Sequence, residues 1–334
     1  MMKYLLFVSL MLVAATHTYA GSCLAGKDTI IVTLNHNDWV YKTNEKATFT
    51  IRVMSDGKAV KNVRLYYEVG REKMTPDKTD SVTLEDGLLK VEGGTLKDPG
   101  FLRCYVRGRV NGQLLTGMAT AAFSPLEIKP TTTMPDDFEA FWDSAKANAA
   151  KIPMDVKATL MPERSDDKVN TFLVSIQSYE FKNRLYGILC VPKKEGKYPA
   201  ILEVPGAGVR SYYGNKTMTV KGIITFQIGI HGIPVAMSGP VYDDLRFGAL
   251  RDYQTYNLDD RDRYYYKRVY MGCIRAIDYI FSLPSFDGQN LAVSGGSQGG
   301  ALAIVTAALD RRVKCLASFY PALSDLTGYL YNRA

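Results

Sequence analysis

Residues 293–300, Val293-Ser294-Gly295-Gly296-Ser297-Gln298-Gly299-Gly300, constrain the fold of this chain more than any other stretch. They hold the pattern Gly295-x-Ser297-x-Gly299, preceded by the apolar run Asn290-Leu291-Ala292-Val293 and followed by a small-residue run from 301 to 309. A serine between a strand and a helix on so sharp a turn exposes its hydroxyl above the sheet. Glycines belong two residues to either side because side chains there would collide. The Gln298 N–H, at the start of the helix, is then free to face an oxyanion. The plain alternative is an ordinary glycine-rich turn, since the five-residue pattern also arises by chance.

The rest of the chain supplies the setting. With 334 residues, about two domains are expected. The net charge of +7 is dispersed: Arg103, Arg107 and Arg109 alternate along one segment, while Arg261, Arg263 and Arg268 are mixed with Asp259, Asp260 and Asp262. No run of five like charges marks a nucleic-acid footprint.

Residues 1–20 read as an export signal, with Lys3, an apolar centre over 5–15 and Thr18-Tyr19-Ala20 as a small-x-small cleavage site. The localisation expected is periplasm, outer membrane or extracellular. Cys23 follows Ala20-Gly21-Ser22, a loose lipobox lacking its usual leucine, so a lipid anchor at Cys23 stands beside plain cleavage after Ala20. Cys190, Cys273 and Cys315 lie in apolar runs, where a thiol packs as a small hydrophobe. With no C-x-x-C pair and no His/Cys cluster, no disulfide framework, metal site or cofactor is expected.

Residues 24–124 read as all-β. Strand candidates cover 28–34, 46–54, 62–69, 81–91, 101–109 and 113–123, separated by turns such as Ser55-Asp56-Gly57 and Asn111-Gly112. This spacing suggests an immunoglobulin-like sandwich. Tyr66, Tyr67 and Tyr105 are read chiefly as packing residues, with a sugar-binding face as the alternative. Residues 125–135, with Pro125, Pro130 and three threonines, form the linker. A helix follows, with Asp136 and Asp137 in its first turn and Phe138, Phe141, Trp142 and Ala145 as an apolar stripe.

From Thr171 strands alternate with helices: strands over 171–178, 185–191, 198–204, 222–228, 291–293 and 315–319, and a long helix over 264–283. Such alternation builds a mainly parallel sheet with helices on both faces, and an elbow in that setting makes residues 136–334 an α/β-hydrolase domain. The second oxyanion donor belongs on the loop after the third strand, here Pro205-Gly206-Ala207-Gly208, and the Ala207 N–H is the candidate.

Tyr264-Tyr265-Tyr266-Lys267-Arg268-Val269-Tyr270, Arg275-Ala276-Ile277-Asp278, Ser282-Leu283-Pro284, Phe138-Glu139-Ala140-Phe141-Trp142 and the Gly-Gly-Ser-Gln-Gly-Gly run resemble the acetyl xylan esterase and cephalosporin C deacetylase family. The resemblance covers residues from about 135 to the end. It implies removal of acetyl groups from xylan, xylo-oligosaccharides or cephalosporins, with Ser297 as nucleophile and the Gln298 and Ala207 backbones as the oxyanion hole. It also implies a homo-oligomer. The chain departs from the family in showing Gly229-Ile230-His231-Gly232 where members carry Arg-Gly-Gln, Pro205-Gly206-Ala207 where they often carry His-Gly-Tyr, and an added N-terminal β domain. A non-catalytic carbohydrate-binding or assembly protein on the same scaffold, and a peptidase, are the competing readings.

His231 is the sole imidazole of the second domain. It precedes Ser297, whereas this fold runs Ser, acid, His, so a substrate contact or a structural hydrogen bond fits it better than the role of base. After Ser297 the chain holds Asp310 and Asp325, no Glu and no further His. Asp310 closes the helix behind the elbow and Asp325 follows a strand one position too early. The expectation is therefore that the triad Asp and His are not in this chain and that its C-terminal part is missing.

Overall fold

The computed structural model describes residues 28–130, 133–180 and 182–326. The export-signal reading over 1–20 and the Cys23 lipid site lie outside the described residues. The chain divides between Thr133 and Met134 into two compact units.

The first unit consists of strands β1 (Thr29–Leu34), β2 (Val40–Tyr41), β3 (Ala47–Ser55), β4 (Lys58–Ala59), β5 (Val63–Arg71), β6 (Lys78–Leu84), β7 (Leu88–Gly94), β8 (Gly100–Val110) and β9 (Gln113–Phe123). One sheet has the order β1-β3-β4, with β7 also on β3; the other runs β2-β9-β8-β5-β6. Alternation decides the core. Phe49, Ile51 and Val53 of β3 meet Leu65 and Tyr67 of β5 and Cys104 and Val106 of β8 in one buried cluster. The same rule splits the tyrosines: Tyr67 is core, while its neighbour Tyr66 sits on the opposite face beneath the Arg107 guanidinium, 4.4 Å from the ring centre. The single strand expected over 81–91 is instead two. β6 pairs with β5 and β7 with β3, because the chain changes sheet at Glu85-Asp86-Gly87, where Gly87 has φ +72°.

The second unit begins with helix α1 (Phe138–Ala150). Asp136 and Asp137 precede it rather than forming its first turn, and Asp137 pairs with Arg261 at 2.7 Å. Then come β10 (Lys157–Leu160), β11 (Val169–Gln177), β12 (Arg184–Pro192), β13 (Tyr198–Glu203), α2 (Lys216–Thr219), β14 (Ile224–Gly229), α3 (Gly239–Phe247), α4 (Tyr265–Ser282), β15 (Phe286–Gly296), α5 (Gln298–Leu309) and β16 (Val313–Phe319). The seven-stranded order is β10-β11-β12-β14-β13-β15-β16. The joins from β10 to β14 are antiparallel and those of β14, β13, β15 and β16 parallel. β10 had no counterpart in the sequence reading, since its four residues are all exposed.

The order places the site. After β13 the chain steps to one side for β14 and crosses back to the other for β15. Such a reversal opens a crevice at the carboxyl ends of the strands, where open α/β sheets take their ligands. α4 contributes Tyr266, Cys273, Ile277 and Ile280, each fully buried, to the core shared with Leu202, Phe226 and Val293. Among the described residues β16 is the last strand of the sheet, and Leu316 and Cys315 are exposed, so Cys315 does not take the packed position expected of it.

Candidate active site

The elbow takes the strained form its sequence requires. Ser297 has φ 58° and ψ −124°, a conformation side-chain-bearing residues avoid unless their surroundings enforce it. The surroundings do so. The Ser297 N–H donates to the Phe319 carbonyl at 3.0 Å, and its carbonyl accepts the N–H groups of Gly300 (2.9 Å), Ala301 (3.2 Å) and Ala322 (3.0 Å). The flanking glycines admit the turn, since a Cβ on Gly295 would overlap the Gly299 carbonyl and one on Gly299 would overlap the Val204 carbonyl. α5 starts at Gln298, whose N–H, first in the helix, has no intrahelical acceptor and meets the positive end of the helix dipole.

Sequence reasoning placed the loop 205–208 beside this turn, and the structure does the same. A Cβ on Gly206 would stand 3.3 Å from the Gly296 carbonyl. What the sequence did not reveal is how the two parts are joined. The Gln298 side chain, 1% exposed, donates from Nε2 to the Pro205 carbonyl at 3.1 Å. Its Oε1 accepts two hydroxyls, Tyr253 and Tyr266, each at 2.6 Å. Tyr253 in turn accepts the Gly208 N–H at 3.2 Å. Arg210 donates to the Ala207 carbonyl at 2.6 Å and the Gly206 carbonyl at 3.3 Å. In a trans peptide the N–H points opposite to the carbonyl, so binding the Gly206 carbonyl to Arg210 turns the Ala207 N–H away from that side chain. Ala207 is exposed, and among the described residues its N–H has no acceptor.

His231 is 7% exposed, with both ring nitrogens engaged: Nδ1 with the Tyr265 hydroxyl at 2.6 Å and Nε2 with the Gly208 carbonyl at 3.1 Å. A carbonyl only accepts, so Nε2 carries the proton and Nδ1 accepts from Tyr265. Burial lowers its pKa to about 4; the Gly208 hydrogen bond opposes this, and the nearby Arg268 and Arg210 charges add to it. Of the two readings kept for His231, the structural hydrogen bond describes what its two ring nitrogens do here, toward Tyr265 and the Gly208 carbonyl.

A cavity of about 560 Å³ opens beside the elbow, lined by Glu203 to Gly206, Arg210, Tyr213, Gln227, Gly296 and Tyr320. Glu203, missed by the sequence reading, has its pKa raised by burial, while the Asn215 and Gln227 amides that bond its two oxygens counter the rise. Its carboxylate thus faces amides rather than Ser297. A second cavity, about 630 Å³, lies among Phe138, Trp142, Lys146 and Arg311, away from the elbow. Asp310 caps α5 and is held by Arg312 at 2.6 Å, as the sequence reading placed it. Glu203, His231 and Asp310 make their hydrogen bonds to groups other than the Ser297 hydroxyl.

Comparison with known proteins gives this geometry a lineage. The family model described as acetyl xylan esterase matches residues 124–331. The chain belongs to the acetyl xylan esterase family. It is 40% identical over 307 residues to acetyl esterase Axe7A of Xylanibacter ruminicola, covering 90% of this chain and 68% of that protein. Among solved structures it is similar to the acetyl xylan esterase from Paenibacillus sp. R4, with 30% identity and a TM-score of 0.50 over 58% of this chain and 62% of that one. Acetyl xylan esterase 1 from Thermoanaerobacterium sp. JW/SL YS485 shares the fold at 21% identity, with a TM-score of 0.52 over 60% of this chain and 63% of that one. The chain thus spans just under two thirds of the length of these two solved relatives. The family is one of carboxylic ester hydrolases of the α/β-hydrolase type, and the sheet order and elbow described above are the parts of it seen in this chain.

Proposed function

We propose that this protein is a serine esterase that removes acetyl groups from xylan, xylo-oligosaccharides or related acetylated carbohydrates. The observation that carries the reading is the strained Ser297 joined, through the Gln298 side chain, to a loop whose Ala207 N–H is free. In this reading Ser297 Oγ attacks the acetyl carbonyl. The carbonyl oxygen becomes an oxyanion and is met by the Gln298 and Ala207 N–H groups. The tetrahedral adduct then expels the sugar hydroxyl, leaving an acetyl group on Ser297 that water removes as acetate. A base takes the Ser297 hydroxyl proton in the first step and returns it to the departing sugar oxygen, then does the same for the water that attacks the acetyl-serine and the Ser297 oxygen it releases. The 24–124 segment, read as an immunoglobulin-like sandwich, export through residues 1–20, a lipid anchor at Cys23 and self-association belong to the same proposal.

Acetate release from acetylated xylo-oligosaccharide, with mass spectrometry of Ser297 after reaction with a serine-reactive phosphonate, tests it. The expectation is acetate release and a label on Ser297, both lost in Ser297→Ala. A label on another serine, or cleavage of peptides with acetyl esters untouched, would overturn it.

A further inference from the structure

Four successive peptide groups of the 205–208 loop are all held by side chains. The Pro205 carbonyl binds Gln298, the Gly206 and Ala207 carbonyls bind Arg210, the Gly208 N–H binds Tyr253 and the Gly208 carbonyl binds His231. Gly208 is thus gripped on both sides, and its φ of +121° is one that a residue with a side chain would resist. Tyr253 and His231 also pack edge to face, with ring centres 4.7 Å apart, so neither grip moves alone. His231 follows β14 and Tyr253 lies in the short 3-10 turn before α4, so two separate segments converge on one glycine.

We propose that His231 is a positioning residue of the oxyanion hole, its Nε2–H fixing the Gly208 carbonyl while the Tyr265 hydroxyl fixes the opposite ring nitrogen. The inference rests on the esterase reading for its kinetic consequence and on the hydrogen bonds alone for its structural one. The peptide that carries the Gly208 carbonyl is two units along the chain from the one that carries the Ala207 N–H, so its rotation would shift the loop and with it that N–H, whose worth depends on aim: donors act when they stand about 2.7–3.1 Å from the developing oxyanion. The ring does this through donation, not through size or charge. An amide in the same place serves, because a glutamine Nε2 reaches about as far as a histidine Nε2 and also donates.

The test compares wild type, His231→Leu and His231→Gln, with thermal melts to confirm that each is folded. On an acetyl ester, His231→Leu should lower kcat by about 10- to 100-fold, a part of the 100- to 1,000-fold that loss of a whole donor costs, with KM within about threefold. His231→Gln should recover most of the loss. Equal losses in both variants, or no loss in His231→Leu, would overturn the proposal. Hydrogen exchange of the Gly208 and Val209 amides is read in parallel and needs no turnover. Exchange should quicken in His231→Leu and stay near wild type in His231→Gln; unchanged exchange in His231→Leu overturns the positioning role. A wild type that turns over no acetyl ester refutes the esterase reading alone, and the exchange result then decides the positioning.

Discussion

His231 should make the second unit sensitive to acid in a way that one substitution removes. Its pKa falls from 6.5 to about 4 in the fold, first through burial. Between those values the unfolded chain holds a proton that the folded chain refuses, so protons favour unfolding and stability rises with pH. The contribution is intact above pH 6.5 and is lost as pH falls toward 4. At about 1.36 kcal/mol per unit, a shift of this size is worth about 3 kcal/mol, nearly all of it spent by pH 4. Carboxylates titrate in the same window, so the absolute curve is uninformative and the difference between proteins is the observable. Urea unfolding of wild type and His231→Gln, followed at matched pH from 7.5 to 4, isolates the imidazole. Their stability difference should shift by about 3 kcal/mol in favour of the glutamine variant as the pH drops. A difference that stays flat would refute the assignment of His231 as a buried neutral ring donating to Gly208.

Two further outcomes follow from the elbow and its clamp. Gln298→Leu strips three buried groups of their partner (the Tyr253 and Tyr266 hydroxyls and the Pro205 carbonyl) and should cost about 3 kcal/mol or more in urea unfolding; a cost below about 1 kcal/mol would mean the clamp is not formed. Ser297→Gly removes the proposed nucleophile and the strain together, so it should lose phosphonate labelling while gaining about 1 kcal/mol of stability, seen as a melting temperature about 2–4 °C higher; an unchanged or lower melting temperature would contradict the strained backbone at φ 58°.

The parts of the site legible in the sequence were those encoded by neighbours. Gly295, Ser297 and Gly299 lie within five residues, and a turn so tight announces itself through what its side chains cannot be. The 198–204 run read as the third strand because a strand buried on both faces is apolar throughout, and it ends in the structure at Glu203. The clamp was illegible for the opposite reason. Tyr253 and Tyr266 reach Gln298 across 45 and 32 residues, and a hydrogen bond between distant side chains leaves no periodic trace. Tyr266 is at the same time a buried core residue of α4, within the long helix read over 264–283. His231 stood out as a lone imidazole, but its role turns on which nitrogen faces which oxygen, and only packing fixes that. Cys315 was misjudged because an apolar strand is buried only if another element covers it, and β16 is the sheet edge among the described residues.

The Gln298 side chain carries one further implication, for how this sequence can change over generations. In the proposed mechanism position 298 lends its backbone to the oxyanion hole, and its side chain binds two phenols and a proline carbonyl. The backbone role is indifferent to residue type; the side-chain role is not. Substitution there exposes a debt at positions 253 and 266, and loss of those hydroxyls in turn releases 298 from its obligation. The three sites therefore form an epistatic set. Drift at any one should be deleterious alone and tolerable when the others change with it, which ties the glutamine to partners far away in sequence as well as to the serine beside it.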